Sequence, residues 1–447
     1  MQRNLKTNTR KKQNMQRLAV MLWLLCLAVA CQAQTPREDF KKNVGWSGGS
    51  FTAYPGPLQP KLTPPPGGKR PFYISHYGRH GSRHHTKYED FDYVLNVLEK
   101  ARHEGVLTPL GTDVLGRVRR LRDDVNGHVG ELTELGVSQH RDIVRRMYKR
   151  FPEVFKGDVV VDAHSTLAVR CLISMGNALL ELQKLNPRLQ INMCASQADL
   201  AYLSYNDRRL TEKAPSRENR LIYEQFCKAH PTWQRVVSQL IGDTAYVNRY
   251  VNGERFNYFL FRLASNVQSV ALADELTLYD LFTEEEIFRN WEKENIYWYM
   301  GFGFCPMNGG EQPYSQRILL RTIIEQADSC LTLPRPGATL RYGHDTMLMP
   351  LLCLLGVDGY GQSFTDISQL AEKGWLDYRA VPMGGNIQFV FYRKNPSDDD
   401  VVFKVLLNEN EARLPIATDI APYYHWSDFR RHYLSLIEAY EASHPED

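Results

Sequence analysis

One five-residue run, Arg79-His80-Gly81-Ser82-Arg83, constrains this 447-residue chain more than any other stretch. It follows Pro71-Phe72-Tyr73-Ile74-Ser75, an aromatic and β-branched run that reads as a buried strand. Gly78 and Gly81 then break that strand into a tight loop. A histidine between two guanidinium groups titrates low, because nearby positive charge disfavours imidazolium. His80 is therefore neutral near pH 7 and free to act as a nucleophile. The arginines supply permanently charged planar forks that match phosphate oxygens. Phosphoryl transfer to nitrogen requires a nucleophile set inside such an anion clamp.

Three other readings compete for this run. The plainest is a solvated basic loop. His76, His80 and His84 also sit four apart, which is metal-ligand spacing on a helix. The preceding strand and the two glycines argue against a helix, and no carboxylate falls in register. Nucleic-acid binding lacks a matching basic arm or aromatic-rich motif.

Two further segments add weight. Ala338-Thr339-Leu340-Arg341-Tyr342-Gly343 reads as a strand, followed by His344-Asp345-Thr346 and the apolar helical run Leu348 to Leu355. Asp345 thus stands near a helix N-terminus at the carboxyl end of a strand, where open α/β sheets gather ligands. Beside a bound phosphate dianion its pKa would rise, which suits a general acid, although capping the helix is the alternative role. Val159-Val160-Val161-Asp162-Ala163-His164-Ser165-Thr166 reads as a strand and turn. Arg170 follows it, either completing the clamp or sitting on a helix surface.

Together these motifs resemble the histidine acid phosphatases, the clade of phytases and multiple inositol polyphosphate phosphatases, from about Pro71 to Tyr433. Weaker echoes are Leu132-Thr133-Glu134-Leu135-Gly136 with His140, Ser165-Thr166 with Arg170-Cys171, Val381-Pro382-Met383, Leu407-Asn408-Glu409 and His425-Trp426-Ser427-Asp428-Phe429. The resemblance implies an α/β fold: a mixed-sheet histidine-phosphatase core flanked by helices, with an α-helical cap insertion. It implies His80 as the nucleophile that becomes phosphohistidine, and Arg79, Arg83, Arg170 and His344 as the phosphate clamp. Asp345 would protonate the leaving alkoxide, Thr86, Lys87 and Thr346 would contact substrate, and no cofactor or metal takes part. Two departures stand out. His84-His85 follow Arg83 where the family usually has proline. His344-Asp345-Thr346 stands where the multiple inositol polyphosphate phosphatases typically carry His-Ala-Glu, so the acid is of the bacterial phytase and sugar-phosphatase kind.

Residues 1–33 read as a secretory signal peptide: Arg10, Lys11, Lys12 and Arg17 precede the short apolar run Leu18 to Ala30. Cleavage after Ala33 would release an exported, periplasmic protein. Cys31 could instead carry a lipid, the one route to membrane attachment, as an outer-membrane lipoprotein. The leader holds six of the 54 Lys and Arg and no Asp or Glu, which leaves 48 basic against 51 acidic groups. Global charge therefore draws in no polyanion, and any attraction must be local to a cleft. Six cysteines remain, Cys171, Cys194, Cys227, Cys305, Cys330 and Cys353. Export makes disulfides possible, and their pairing and the oligomeric state are open.

Residues 34–70 read as an extended lead-in, 71–194 and 311–447 as the α/β core, and 195–310 as the helical cap. Strands are expected at 71–76, 158–163, 338–343, 386–393 and 401–407, and helices at 88–103, 112–125, 134–150 and 167–184. Tyr297-Trp298-Tyr299 reads as cap core. The leading function is an exported phosphomonoesterase acting on inositol polyphosphates. Its alternatives are a broad-specificity acid or sugar phosphatase, a phosphoglycerate-mutase-like phosphotransferase, and a non-catalytic phospholigand-binding lipoprotein.

Overall fold

A computed structural model describes residues 35–205, 207–213 and 217–445. The expected signal peptide, with Cys31, lies outside the described residues. Among the described residues eight strands form one sheet: β1 (Arg70–Arg79), β2 (Val160–Ser165), β3 (Gln190–Cys194), β4 (Gly337–Gly343), β5 (Asn386–Arg393), β6 (Val402–Leu407), β7 (Asn410–Ala412) and β8 (Tyr424–His425). Their order is β3-β2-β4-β1-β5-β6-β7, with β8 also on β6. The β3-β2-β4-β1 half is parallel, and every pairing from β1–β5 onward is antiparallel. This is a mixed-sheet α/β fold, as the motifs implied.

Period-two alternation along β1 divides the core. Tyr73 and Tyr77 face helices α7 (Arg317–Leu331), α8 (Asp345–Leu355) and α9 (Trp426–Ser443). Ile74 points the other way, into a second cluster with Val144 and Met147 of α3 (Glu134–Arg150) and Met175 and Leu179 of α4 (Val169–Leu185). Both faces are covered, and β4 and β5 are buried at every position.

A third apolar cluster lies in the helices of the cap. Val94 and Leu98 of α1 (Glu89–His103) and Val118 of α2 (Pro109–Asp124) pack with Leu260 of α5 (Gly253–Val267) and Trp291 of α6 (Glu284–Phe302). α1 is favoured by its acidic first turn and basic last turn, which complement the helix dipole. α2 starts with Thr108 as N-cap and Pro109 at its first position. That apolar cluster joins residues from 89–124 to helices of the 195–310 stretch. Amphipathic periodicity reveals a helix but not the partner for its apolar face. The last helix of that stretch, α6, belongs to both regions: Trp291 packs in the cap, Ile296 and Tyr299 in the sheet core.

The lead-in is not simply extended. Pro36–Lys42 is α-helical and Val44–Phe51 is 3-10 helical. Asp39 is buried, accepting a hydrogen bond from Tyr378 Oη at 2.6 Å and pairing with Arg379. Proline and glycine content suggested an extended lead-in, but Gly49 is needed for close approach: it has φ +57°, and a Cβ there would lie 2.5 Å from the Asp377 carboxylate. All six described cysteines are unpaired. No helix among the described residues is long and apolar enough to cross a membrane.

Candidate active site

Strand register brings the two strongest motifs together. Arg79 and Gly343 are partners at the carboxyl ends of parallel β1 and β4, and the His80 N–H donates to Gly343 O at 3.0 Å. The Thr166 N–H donates to Tyr342 O, drawing the end of β2 alongside. His80, His344 and Thr166 therefore emerge from three neighbouring strand ends.

The loop after β1 is pressed against α3. Ser82 donates its N–H to Gln139 Oε1 at 2.8 Å and accepts from Gln139 Nε2 at 3.0 Å, while its carbonyl accepts from the Thr133 N–H. Thr133 is also the N-cap of α3. The two backbones run so close that a Cβ on Gly136 would sit 2.2 Å from Ser82 O, and one on Gly81 2.5 Å from Gly136 O. Glycine is required at both positions by this contact. His140, buried one turn further along α3, bonds the Arg79 backbone.

His80 is buried, and its Nδ1 lies 2.9 Å from Gly81 O. A carbonyl can only accept, so Nδ1 carries the proton and Nε2 keeps its lone pair. Burial, then Arg79, Arg83 and Arg170, hold the imidazole well below its ordinary pKa. His80 is thus a neutral nitrogen base ringed by three guanidinium charges.

Arg79 is fully buried and donates Nη1 to Ser50 O at 2.5 Å and Val381 O at 2.6 Å. Its Nη2 pairs with Asp345 Oδ2 at 2.6 Å. Burial pushes the Arg83 guanidinium down to about 9, with Arg79 adding to the shift. Arg170 Nη2 lies 3.4 Å from His344 Nδ1, and His344 Nε2 lies 3.3 Å from Thr166 Oγ1. A guanidinium only donates, so Nδ1 accepts and Nε2 bears the proton. His344 is pushed down to about 4 by burial first and Arg170 next. Buried donors remain without partners within the fold: Nε of Arg79, Arg83 and Arg170. Uncompensated buried N–H groups on charged side chains are costly. All three arginines act on the same His80, so an anion with several oxygens placed beside it would offset their charge.

Asp345 is the first residue of α8 and accepts the Thr346 N–H at 2.9 Å on Oδ1, while the N-cap position is His344 and no side chain caps the helix, so the ion pair and not capping is the role present. Burial raises its pKa, but Arg79, Arg83 and His344 outweigh burial and hold it below the usual range. The rise expected from phosphate is a property of the loaded site.

Of the remaining sequence candidates, Thr346 is half-buried beside Asp345, while Thr86 and Lys87 are exposed on the loop before α1. A point above Gly130 lies 3.6 Å from the Thr86 methyl and 4.0 Å from Arg170 Nη1, which sets Thr86 at the rim of the clamp. His76 belongs to a strand and packs near His140 and Tyr342, so the four-residue histidine spacing converges on nothing. His85 bonds Asp90 of α1 at 2.9 Å and packs at a tilt against the Phe51 ring, tying the loop to α1.

Sequence reasoning missed the cap side. Arg262 of α5 lies 4.9 Å and Arg83 5.5 Å from the centre of the same Phe51 ring. Beside them is a cavity of about 460 Å³, lined by Phe51, Arg262, Lys293, Glu294, Tyr258 and Tyr297 among others. Arg262 carried no local signal, being one arginine on an amphipathic helix.

A family model described as the histidine phosphatase superfamily (branch 2) matches residues 79–408. The chain belongs to this superfamily. Its fold is similar to that of the Bifidobacterium longum multiple inositol polyphosphate phosphatase, solved in complex with inositol hexasulfate, with a TM-score of 0.68, 16% identity and coverage of 87% of this chain and 97% of that one. The phytase of D. castellii gives a TM-score of 0.61 at 13% identity, covering 88% of this chain and 85% of that one. Human multiple inositol polyphosphate phosphatase 1 is 25% identical over 152 residues, 33% of this chain and 31% of the human protein. That match spans about a third of the relative's length. In this histidine phosphatase the weaker family-like runs hold the site from behind. Asn408 and Glu409, with φ of 49° and 66°, form the tight turn between β6 and β7. Asn408 Nδ2 donates to Arg379 O at 2.7 Å, bracing the loop whose Val381 carbonyl grips Arg79.

Proposed function

We propose that this histidine phosphatase is an exported phosphomonoesterase that works through a phosphohistidine on His80 and acts on inositol polyphosphates. The observation that carries the reading is the set of unpartnered guanidinium donors of Arg79, Arg83 and Arg170 around a neutral His80. His80 Nε2 attacks phosphorus in line, forming the P–N bond as the bond to the ester oxygen breaks. The arginines and the His344 N–H take up charge on the equatorial oxygens, and Asp345 gives its proton to the leaving alkoxide. Asp345 then accepts a proton from water, whose oxygen attacks phosphorus and restores His80. Positive charge comes from side chains, so activity is expected to persist in excess chelator.

Arg262 and Lys293 in the cap cavity, with Thr86 at the rim and the exposed Lys87 next to it in the chain, support a substrate bearing more than one phosphate. The multiple inositol polyphosphate phosphatases and phytases among its structural relatives support the same class. The signal-like first 33 residues support export. A broad sugar-phosphate specificity is the second reading, favoured by Asp345-Thr346 in place of Ala-Glu.

Phosphate release from phytate and from nitrophenyl phosphate, with EDTA present, tests the activity. His80→Ala is expected to lose nearly all turnover while folding normally. Acid-labile, base-stable label from a phosphorylated substrate should appear on the wild type alone. Substantial activity in the alanine variant overturns the mechanism, and release from sugar monophosphates but not phytate moves the substrate to the second reading.

A further inference from the structure

We propose that His164, Cys194 and Asp199 form a zinc-type divalent-cation site at the carboxyl ends of β2 and β3, separate from the phosphate chemistry. His164 and Cys194 are direct partners in the parallel β2–β3 register, and Asp199 comes from the helix Gln197–Leu203 that follows. One donor atom from each lies within 4.8 Å of the other two. His164 Nδ1 is 2.7 Å from Asp199 Oδ1, and the Cys194 thiol donates to Asp199 Oδ2 at 3.1 Å. Asp199 Oδ2 also accepts from the Ser196 N–H and Oγ, which fixes the carboxylate in place.

The donor set is nitrogen, sulfur and carboxylate oxygen, which suits zinc better than magnesium or calcium. The outer shell fits as well. The other ring nitrogen, His164 Nε2, lies 3.0 Å from Asp162 Oδ2. A carboxylate on the far nitrogen is the usual way a protein orients a metal-binding imidazole and raises its basicity. Binding is a proton exchange: the thiol proton and any proton on Nδ1 leave to solvent, and Nε2–H stays on Asp162. Thiolate, carboxylate and neutral imidazole then balance a dication, with the fourth position left to water. β3 is the edge strand of the parallel half, so the cation would pin this edge to β2 and the next helix. Without a cation the same groups make a hydrogen-bonded cluster, and the experiment decides between the two.

The full chain, free of any histidine tag and stripped with a chelator, is titrated with Co²⁺ and then Zn²⁺. Wild type is expected to bind one equivalent, to show a cobalt–thiolate charge-transfer band with tetrahedral visible bands, and to gain Tm with zinc. Cys194→Ser should lose the charge-transfer band, and His164→Ala should weaken zinc binding by about tenfold or more. Asp162→Asn, which keeps all three ligands, should weaken it by roughly 10–100-fold. Hydrolysis of nitrophenyl phosphate by each variant reports that it has folded. Absence of a thiolate band in wild type, or full zinc affinity in Cys194→Ser, overturns the proposal.

Discussion

Asp345 is the residue where charge and role pull in opposite directions. Its carboxyl pairs with a fully buried Arg79 at 2.6 Å and is held ionised in the ligand-free site. A general acid must be protonated, so catalysis has to begin with substrate restoring that proton affinity. Asp345→Asn is expected to slow hydrolysis of inositol phosphates by on the order of 10²-fold, and of nitrophenyl phosphate far less. The sign of the pH dependence follows. Because the shift is downward, the protonated fraction grows only as pH falls, so kcat/KM for poor leaving groups should decline as pH rises. The asparagine variant should lose that limb. Parallel Tm measurements separate lost chemistry from a lost partner for Arg79, since equal losses on both substrates with a lowered Tm would indicate the latter.

At the scale of elements, the nucleophile loop is clamped by α3 and faced by α5. Gly136→Ala places a methyl 2.2 Å from the Ser82 carbonyl, which neither backbone can absorb without moving His80. Both Tm and kcat should fall, whereas Gly116→Ala on α2, where nothing lies within 4 Å, should be neutral or slightly stabilising. α5 offers a different test through Arg262, which shares Phe51 with Arg83. Arg262→Ala is expected to raise KM for phytate by about tenfold while sparing nitrophenyl phosphate, with Lys87→Ala acting in the same direction more weakly. Equal KM values for the variants and wild type would remove the cap from substrate choice.

Across the whole molecule, the buried histidines set acid stability. Burial lowers His76 to about 3, His85, His140 and His344 to about 4, and His80 well below its ordinary value. Between about pH 6.5 and 4 the unfolded chain binds protons that these folded histidines refuse, so stability is lost as pH falls through that window. Asp377, raised to about 7 by burial, and Glu294, also raised by burial, act in the opposite direction, because the folded state keeps their protons. Asp358, raised by burial, and His164 and His425, raised by their carboxylate partners, add to that opposing set, while His84 is lowered like the buried histidines; the deeply buried histidines carry the large shifts and leave a net loss. Tm by circular dichroism should fall on the order of 10 °C from pH 6.5 to 4. A flat or rising profile would show that the carboxyls dominate.

The strands at 386–393 and the helix at 134–150 were legible to the residue, because apolar periodicity and capping act through near neighbours along the chain. So was the chemistry of Arg79-His80-Gly81-Ser82-Arg83, since adjacent guanidinium groups must lower an imidazole pKa wherever they are placed. β7 and β8, at three and two residues, are too short to show a period and exist only through pairing with β6. Tertiary structure alone set Arg79 against Asp345, gave α1 and α2 to the cap, and brought Phe51 and Arg262 to the pocket. These contacts join residues distant in the chain, and a lone arginine or phenylalanine carries no mark of the partner that folding will give it.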